Sequence, residues 1–292
     1  MKRTNVALSI AVVLAVVVLA LGSLSFAGNP GQTEADANQQ ADNAVQESIA
    51  PATSTSPDAT TFCSYSFTSG SNNSFLQYCV TANGNIPRIE TPLGKPQLGS
   101  GGEGYGLCQE SPAVEYHDYA SGDSGNWKAP VLVSSTTTSV KIARTTSDGH
   151  FTLTQTITKV PQTSSITIAM AITNHQAVAK KVYLVRYADS NPNGSAGQGI
   201  NATHNGVYSW LDAGDFPAFT PGGLQLQNVG NPPFLYWQGF ARTVDYGPNA
   251  CDFAANSSTK PFISSDASMA LAYAGTVYVN GTKTVTVTYR GM

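Results

Sequence analysis

Three oxygen-bearing side chains alternate in the run RYADSNPNG, residues 186–194: Asp189, Asn191 and Asn193, followed directly by Gly194. The spacing D-x-N-x-N-G is the front half of a calcium loop. Alternate residues supply the oxygens, and the glycine lets the chain turn so that they converge. Calcium takes six to eight oxygens, some of them from backbone carbonyls and water, so the stretch is expected to hold Ca²⁺ weakly, with a dissociation constant of about 0.1 to 1 mM. Ile200 stands where a helix–loop–helix site has its bidentate Glu, and no helical pattern flanks the run, which excludes an EF-hand. A second carboxylate must come from elsewhere, with Asp212 and Asp215 as candidates. The competing account is a polar turn in which Asp189 pairs with Arg186 and the asparagines only shape the chain.

The densest group of ionisable residues is GEGYGLCQESPAVEYHDY, which supplies Glu103, Glu110, Glu115, His117 and Asp118 among three tyrosines. If VEYHDY is a strand, Glu115, His117 and Tyr119 share one face, and Tyr116 and Asp118 share the other. Two carboxylates flanking a sugar perform the acid and base roles of glycoside hydrolysis. Glu103, His117 and Asp118 are therefore candidate ligand-binding residues, and 103–118 is the candidate catalytic segment. Arg186, on VYLVRYAD, lies in a run whose two faces are both largely apolar, the pattern of a central strand. An arginine there needs a carboxylate or several carbonyls. A structural ion pair with Asp118, Asp123 or Asp189 is its first reading and ligand binding its second. Trp127, in the loop-like SGDSGNWKAP, is the expected exposed aromatic platform. PPFLYWQGFARTVDY reads as a core strand, with Leu235 and Trp237 on one face and Phe234 and Tyr236 on the other.

The elements that must position these groups repeat with a period of two. FTLTQTIT sets Phe151, Leu153, Gln155 and Ile157 against four threonines; ITIAMAIT and TVTVTY repeat the arrangement. Apolar residues on one face and threonine on the other describe strands with one buried and one wet side. Asn83-Gly84, Asp148-Gly149 and Asn280-Gly281 each separate strand-like runs and tolerate the positive φ of tight hairpin turns. No amphipathic helix pattern stands out after residue 60. The expected fold is all-β, a large antiparallel β-sandwich.

Lys2 and Arg3 precede an apolar run that ends before a small-x-small site at Ser25-Phe26-Ala27, the pattern of a secretory signal over residues 1–27. An uncleaved membrane anchor is the alternative, since the run approaches the length of a spanning helix. Residues 28–61 carry five acids and no Lys or Arg, a composition that reads as a disordered acidic linker. Residues 62–292 are expected to form a single all-β domain with thirteen acids and thirteen Lys or Arg residues. That balance argues against a nucleic-acid partner, which demands clustered positive charge. All four cysteines fall in this part. In an oxidising compartment they read as two disulfides with three possible pairings. FCSYSFT and FLQYCVT, joined by SGSNNS, form a hairpin pattern that sets Cys63 opposite Cys79, which leaves Cys108 for Cys251.

GNIPRIETPLG, GEGYGLC, ARTTSDGHFTLTQTIT, VYLVRYADSNPNG and TKTVTVTYRGM together resemble a set found in uncharacterised exported bacterial proteins. That resemblance implies a shared fold and export and carries no activity with it. ITIAMAITN and the size of the domain also resemble the supersandwich of galactose-mutarotase-like proteins, which implies sugar binding on one sheet. That family's catalytic His and Glu pattern is not evident, so no catalytic residue is carried over. The expected function is a secreted or cell-surface, non-catalytic protein that binds a glycan or another surface protein. A carbohydrate-active enzyme using 103–118 and a structural envelope component without ligand are its rivals.

Overall fold

The computed structural model describes residues 63–120, 122–195, 199–210, 222–243, 249–255, 262–264 and 266–292. The signal pattern, the acidic linker, Asp212 and Asp215 lie outside these residues. The described residues form seventeen strands: β1 (Tyr65–Ser69), β2 (Leu76–Val80), β3 (Arg88–Glu90), β4 (Leu98–Gln109), β5 (Val114–Asp118), β6 (Val131–Ser135), β7 (Ser139–Thr145), β8 (Phe151–Lys159), β9 (Ser165–Asn174), β10 (Lys180–Ser190), β11 (Gly199–Thr203), β12 (Gly206–Trp210), β13 (Gly223–Asn228), β14 (Tyr236–Thr243), β15 (Phe262–Ser264), β16 (Ala267–Val277) and β17 (Thr282–Gly291). Asp252–Ala255 forms one helical turn, α1.

Every pairing between strands is antiparallel, and three sheets result. A nine-stranded sheet runs β15-β11-β12-β13-β17-β9-β8-β7-β6, and a five-stranded sheet runs β14-β16-β10-β4-β5. A small sheet, β1-β2-β3, lies beside them. Its Phe67, Leu76, Tyr78 and Ile89 join the core formed by the inner faces of the two larger sheets.

The period-two reading holds on the long sheet. In β8 and β9 buried residues alternate with half-buried ones, with Thr152, Thr154, Thr156 and Thr158 on the outer side of β8. The short sheet differs, because β16 is buried almost throughout. Its inner face meets the main core. Its outer face carries a second cluster, in which Tyr119, Val185, Tyr187, Phe240, Ala270 and Ala272 pack with Ala250 and Phe253 from the α1 segment. Both expected disulfides are present, Cys63–Cys79 and Cys108–Cys251. The second one ties the α1 segment to β4 and so holds the cover on this outer face.

Two of the three expected hairpins form: Asp148-Gly149 turns β7 into β8, and Asn83-Gly84 lies in the connection from β2 to its partner β3. The third does not. Asn280 has φ 52° as a tight turn requires, but the turn carries the chain from one sheet to the other. β16 pairs with β10 and β14, whereas β17 pairs with β9 and β13. The reason is in the side chains: β16 is apolar or small on both faces and suits a sheet covered twice, while β17 needs one wet face for its threonines.

Candidate functional site

Arg186 lies on β10, the middle strand of the short sheet, and is fully buried. Its partner is Glu103, not Asp118, Asp123 or Asp189. Register explains this: Arg186 faces Tyr105 and Ala188 faces Glu103, so Glu103 is the diagonal neighbour of Arg186 on the inner face. Glu103 also accepts hydrogen bonds from the Ile86 N–H (2.5 Å) and the Tyr289 hydroxyl (2.8 Å), while Arg186 donates to Gln155 Oε1 at 2.6 Å. Burial pushes the Glu103 carboxyl up, against the pull of Arg186 and of these donors. Asp118 belongs to a second buried pair, with Arg144 Nη1 2.6 Å from its Oδ2 and 3.2 Å from Asp123 Oδ2. Burial also raises Asp118. Asn85 joins the two pairs, because its amide donates to the Glu103 carbonyl at 3.2 Å and to the Asp118 carbonyl at 2.8 Å.

Of the sequence-derived ligand candidates, Glu103, Asp118 and Arg186 thus lie in the sandwich interior, each held by an opposite charge. Trp127 is 7% exposed, not a platform. Its ring packs edge-on to Tyr105 and lies under Arg144, 5.7 Å from the guanidinium carbon. The loop that looked exposed is pulled in because this arginine needs covering. His117 stays partly exposed on the outer face, stacked on Tyr119, with Nδ1 2.5 Å from Glu115 Oε1. Asp189 lies on the outer face, opposite in orientation to Arg186, with its Oδ2 accepting the Gly101 N–H at 2.7 Å.

An accessible trough of about 280 Å³ lies on the outer face of the short sheet, lined by Lys181, Tyr183, Leu235, Tyr236, Phe240, Phe253, Ala274, Gly275 and Thr276. Ala274 pairs with Tyr183 on one side and with Tyr236 on the other. Two tyrosines therefore stand on strands about 10 Å apart, with an alanine and a glycine between them as floor. Phe253 lies edge-on to Phe240, their ring centroids 5.3 Å apart, where the trough meets the outer cluster. The rim is polar. Glu110 accepts hydrogen bonds from Lys181 (2.7 Å) and the Tyr183 hydroxyl (3.1 Å), and the Tyr236 hydroxyl donates to Gln238 Oε1 at 3.1 Å. The Lys181 hydrogen bond holds the Glu110 carboxyl below its ordinary value.

The core-strand reading of PPFLYWQGFARTVDY is corrected here. Phe234 and Phe240 are buried, but Leu235 precedes β14 and is 90% exposed, and Tyr236 is 44% exposed. Trp237 projects to the other side of β14, close to His204. The trough itself went unread, although SMALAYAG carries its signal: alternate alanines on a strand leave a furrow between larger neighbours.

No protein-family model matches the chain, and no curated protein matches it. Solved structures do. A bacterial glucoamylase complexed with acarbose superposes with a TM-score of 0.53 at 10% identity, over 79% of this chain and 33% of that one. The chain thus spans about a third of that enzyme's length. An aldose epimerase homologue from C. elegans matches with a TM-score of 0.43 at 8% identity, over 78% of this chain and 98% of that one. A putative aldose 1-epimerase from Escherichia coli K12 gives 0.38 at 13%, over 78% and 99%. At 10% identity what the chain shares with the glucoamylase is the fold alone.

Proposed function

We propose that this is an exported β-sandwich protein, secreted or held at the cell surface, that binds a glycan in the Tyr183–Tyr236 trough without cleaving it. The trough carries the reading. A pyranose presents an apolar face and a rim of hydroxyls, and here an alanine–glycine floor lies between two aromatic side chains with a carboxylate, an ammonium and an amide at the edge. Glu103 and Asp118, the carboxylates an enzyme would draw from 103–118, are each committed to a buried arginine. Two disulfides fit an oxidising compartment outside the cytoplasm. The sandwich is a fold that a glucoamylase and aldose epimerase homologues also use, but a fold alone names no ligand. One observation favours the enzyme as second reading: the partly exposed, hydrogen-bonded Glu115–His117 pair.

A glycan array probed with the purified protein tests the proposal, followed by Tyr183→Ala and Tyr236→Ala on any glycan retained. Each substitution is expected to weaken binding by about tenfold, the worth of one aromatic contact. Retention of no glycan, or undiminished binding by both variants, sinks the reading. Release of product from a retained glycan, lost in Glu115→Gln, would favour the enzyme.

A further inference from the structure

We propose that a polar pocket at one end of the long sheet's outer face binds the carboxylate of an acidic sugar through Arg290. The pocket holds about 640 Å³, a size within the range of ligand sites. Arg290 is the charged residue among those that line it, and the others all carry hydroxyl or amide side chains. The Tyr183–Tyr236 trough lies on the short sheet and shares no residue with this pocket, so the two sites stand or fall separately.

Strand pairing assembles one side of the pocket. Arg290 pairs with Ser165 on β9 and with Gln225 on β13, and Thr288 pairs with Thr167 and Gln227 on the same two strands. Alternation turns Arg290, Thr288 and Gln227 outward, because Leu226, Val287 and Tyr289 between them belong to the core. The small sheet supplies the opposite side. Its 3₁₀ turn Asn72–Ser74 joins β1 to β2 and brings Asn73 to the pocket. Ser69 Oγ donates to the Thr163 carbonyl at 3.3 Å, and Lys159 Nζ donates to the Thr68 carbonyl at 2.8 Å. These bonds hold β1 against the β8–β9 turn, and Cys63–Cys79 crosslinks the two strands that carry the 3₁₀ turn.

The lining offers donors without a protein acceptor. The Arg290 guanidinium and the side chains of Asn73 and Ser164 make no hydrogen bond or ion pair among the described residues. Gln227 Oε1 accepts from Gln225 at 2.9 Å, which leaves the Gln227 amide N–H groups to donate. Carboxylates are missing from the surroundings as well. The outward residues of β13, β17, β9, β8 and β7 include no Asp or Glu, and their charged members are Lys141 and Arg290. Donors gathered around one guanidinium, with no acid of their own, complement an oxyanion. The planar guanidinium fork fits a carboxylate through two parallel N–H···O bonds, and one such cation balances one negative charge. Hydroxyl and amide groups around it match the hydroxyls of a sugar ring. No lining residue is apolar, so a fatty acid would find nothing to bury its chain against. A uronic acid carries both features that the pocket recognises.

Calorimetric titration of the whole protein with a galacturonic acid trisaccharide tests the site, beside a neutral glucose trisaccharide and a sulfated one. The expected result is saturable heat for the uronate, with a dissociation constant of about 1 mM, weakening as salt is added. Arg290→Gln should lose about tenfold or more of that affinity, and Arg290→Lys should lose less, because it keeps the charge without the fork. Both variants should melt with the wild type, since the guanidinium has no partner among the described residues to give up. Tyr183→Ala and Tyr236→Ala should bind the uronate as the wild type does, which separates this site from the trough. Absence of heat for the uronate at about 10 mM, or equal binding by wild type and Arg290→Gln, would overturn the assignment. Equal binding of the neutral trisaccharide, or preference for the sulfated one, would overturn the choice of a carboxylate.

Discussion

Arg186 and Glu103 show what a buried charge does at the scale of a single residue. Both are fully buried, and each carries part of a network that includes Tyr289, Gln155 and the Ile86 N–H. Desolvation of two ions offsets much of their attraction, so such a pair adds little net stability, but removing one partner leaves a bare charge in the core. Arg186→Met is therefore expected to cost about 3 to 5 kcal/mol. The double variant Arg186→Met with Glu103→Gln should recover most of that loss, because no uncompensated ion remains. Urea unfolding of the two variants decides it. A double variant as unstable as the single one would mean that the network, rather than the charge, holds the interior together.

At the scale of elements, α1 and the Cys108–Cys251 disulfide form one device. The helical turn has four residues, too few to persist alone. It stays over the outer face of the short sheet because Phe253 and Ala250 pack there and because the disulfide closes a loop of 143 residues. Replacing both cysteines by serine should cost about 2 to 5 kcal/mol and expose the Tyr119–Tyr187–Phe240 cluster. Two readouts check this, denaturant unfolding and binding of an apolar dye to the folded variant. Unchanged stability together with no dye binding would show that packing alone holds the cover. The proposed trough borders the same cover through Phe253, so this variant should also bind glycan less tightly.

For the whole molecule the sheets act as one support with two distinct faces. The long sheet presents threonine to water, and the short sheet presents aromatic and small residues beneath a cover. The acidic composition of residues 28–60 and their lack of any apolar face lead to the expectation that a truncated chain beginning at Thr61 melts within a few degrees of the full chain. Thermal melts of both chains check it, and a loss of many degrees would mean that the segment docks on the domain.

Local signals made the all-β class, the Cys63–Cys79 disulfide, the threonine faces and the Asp148-Gly149 hairpin readable from the sequence, since each depends on residues close along one chain or on alternation within one strand, and Cys108–Cys251 then followed by elimination. Tertiary structure decided the rest. Arg186 took Glu103 because β4 lies beside β10 in a particular register. Trp127 went inside to cover Arg144. Asn280-Gly281 turned the chain from sheet to sheet because β16 found its partners in β10, from Lys180 with Val277 to Asp189 with Ser268, rather than in β17. Tyr183 and Tyr236 come to face one another across the trough only when β16 settles between β14 and β10. Which strands neighbour one another is chosen by the fit of whole faces, and a face is assembled from segments that the linear order keeps apart.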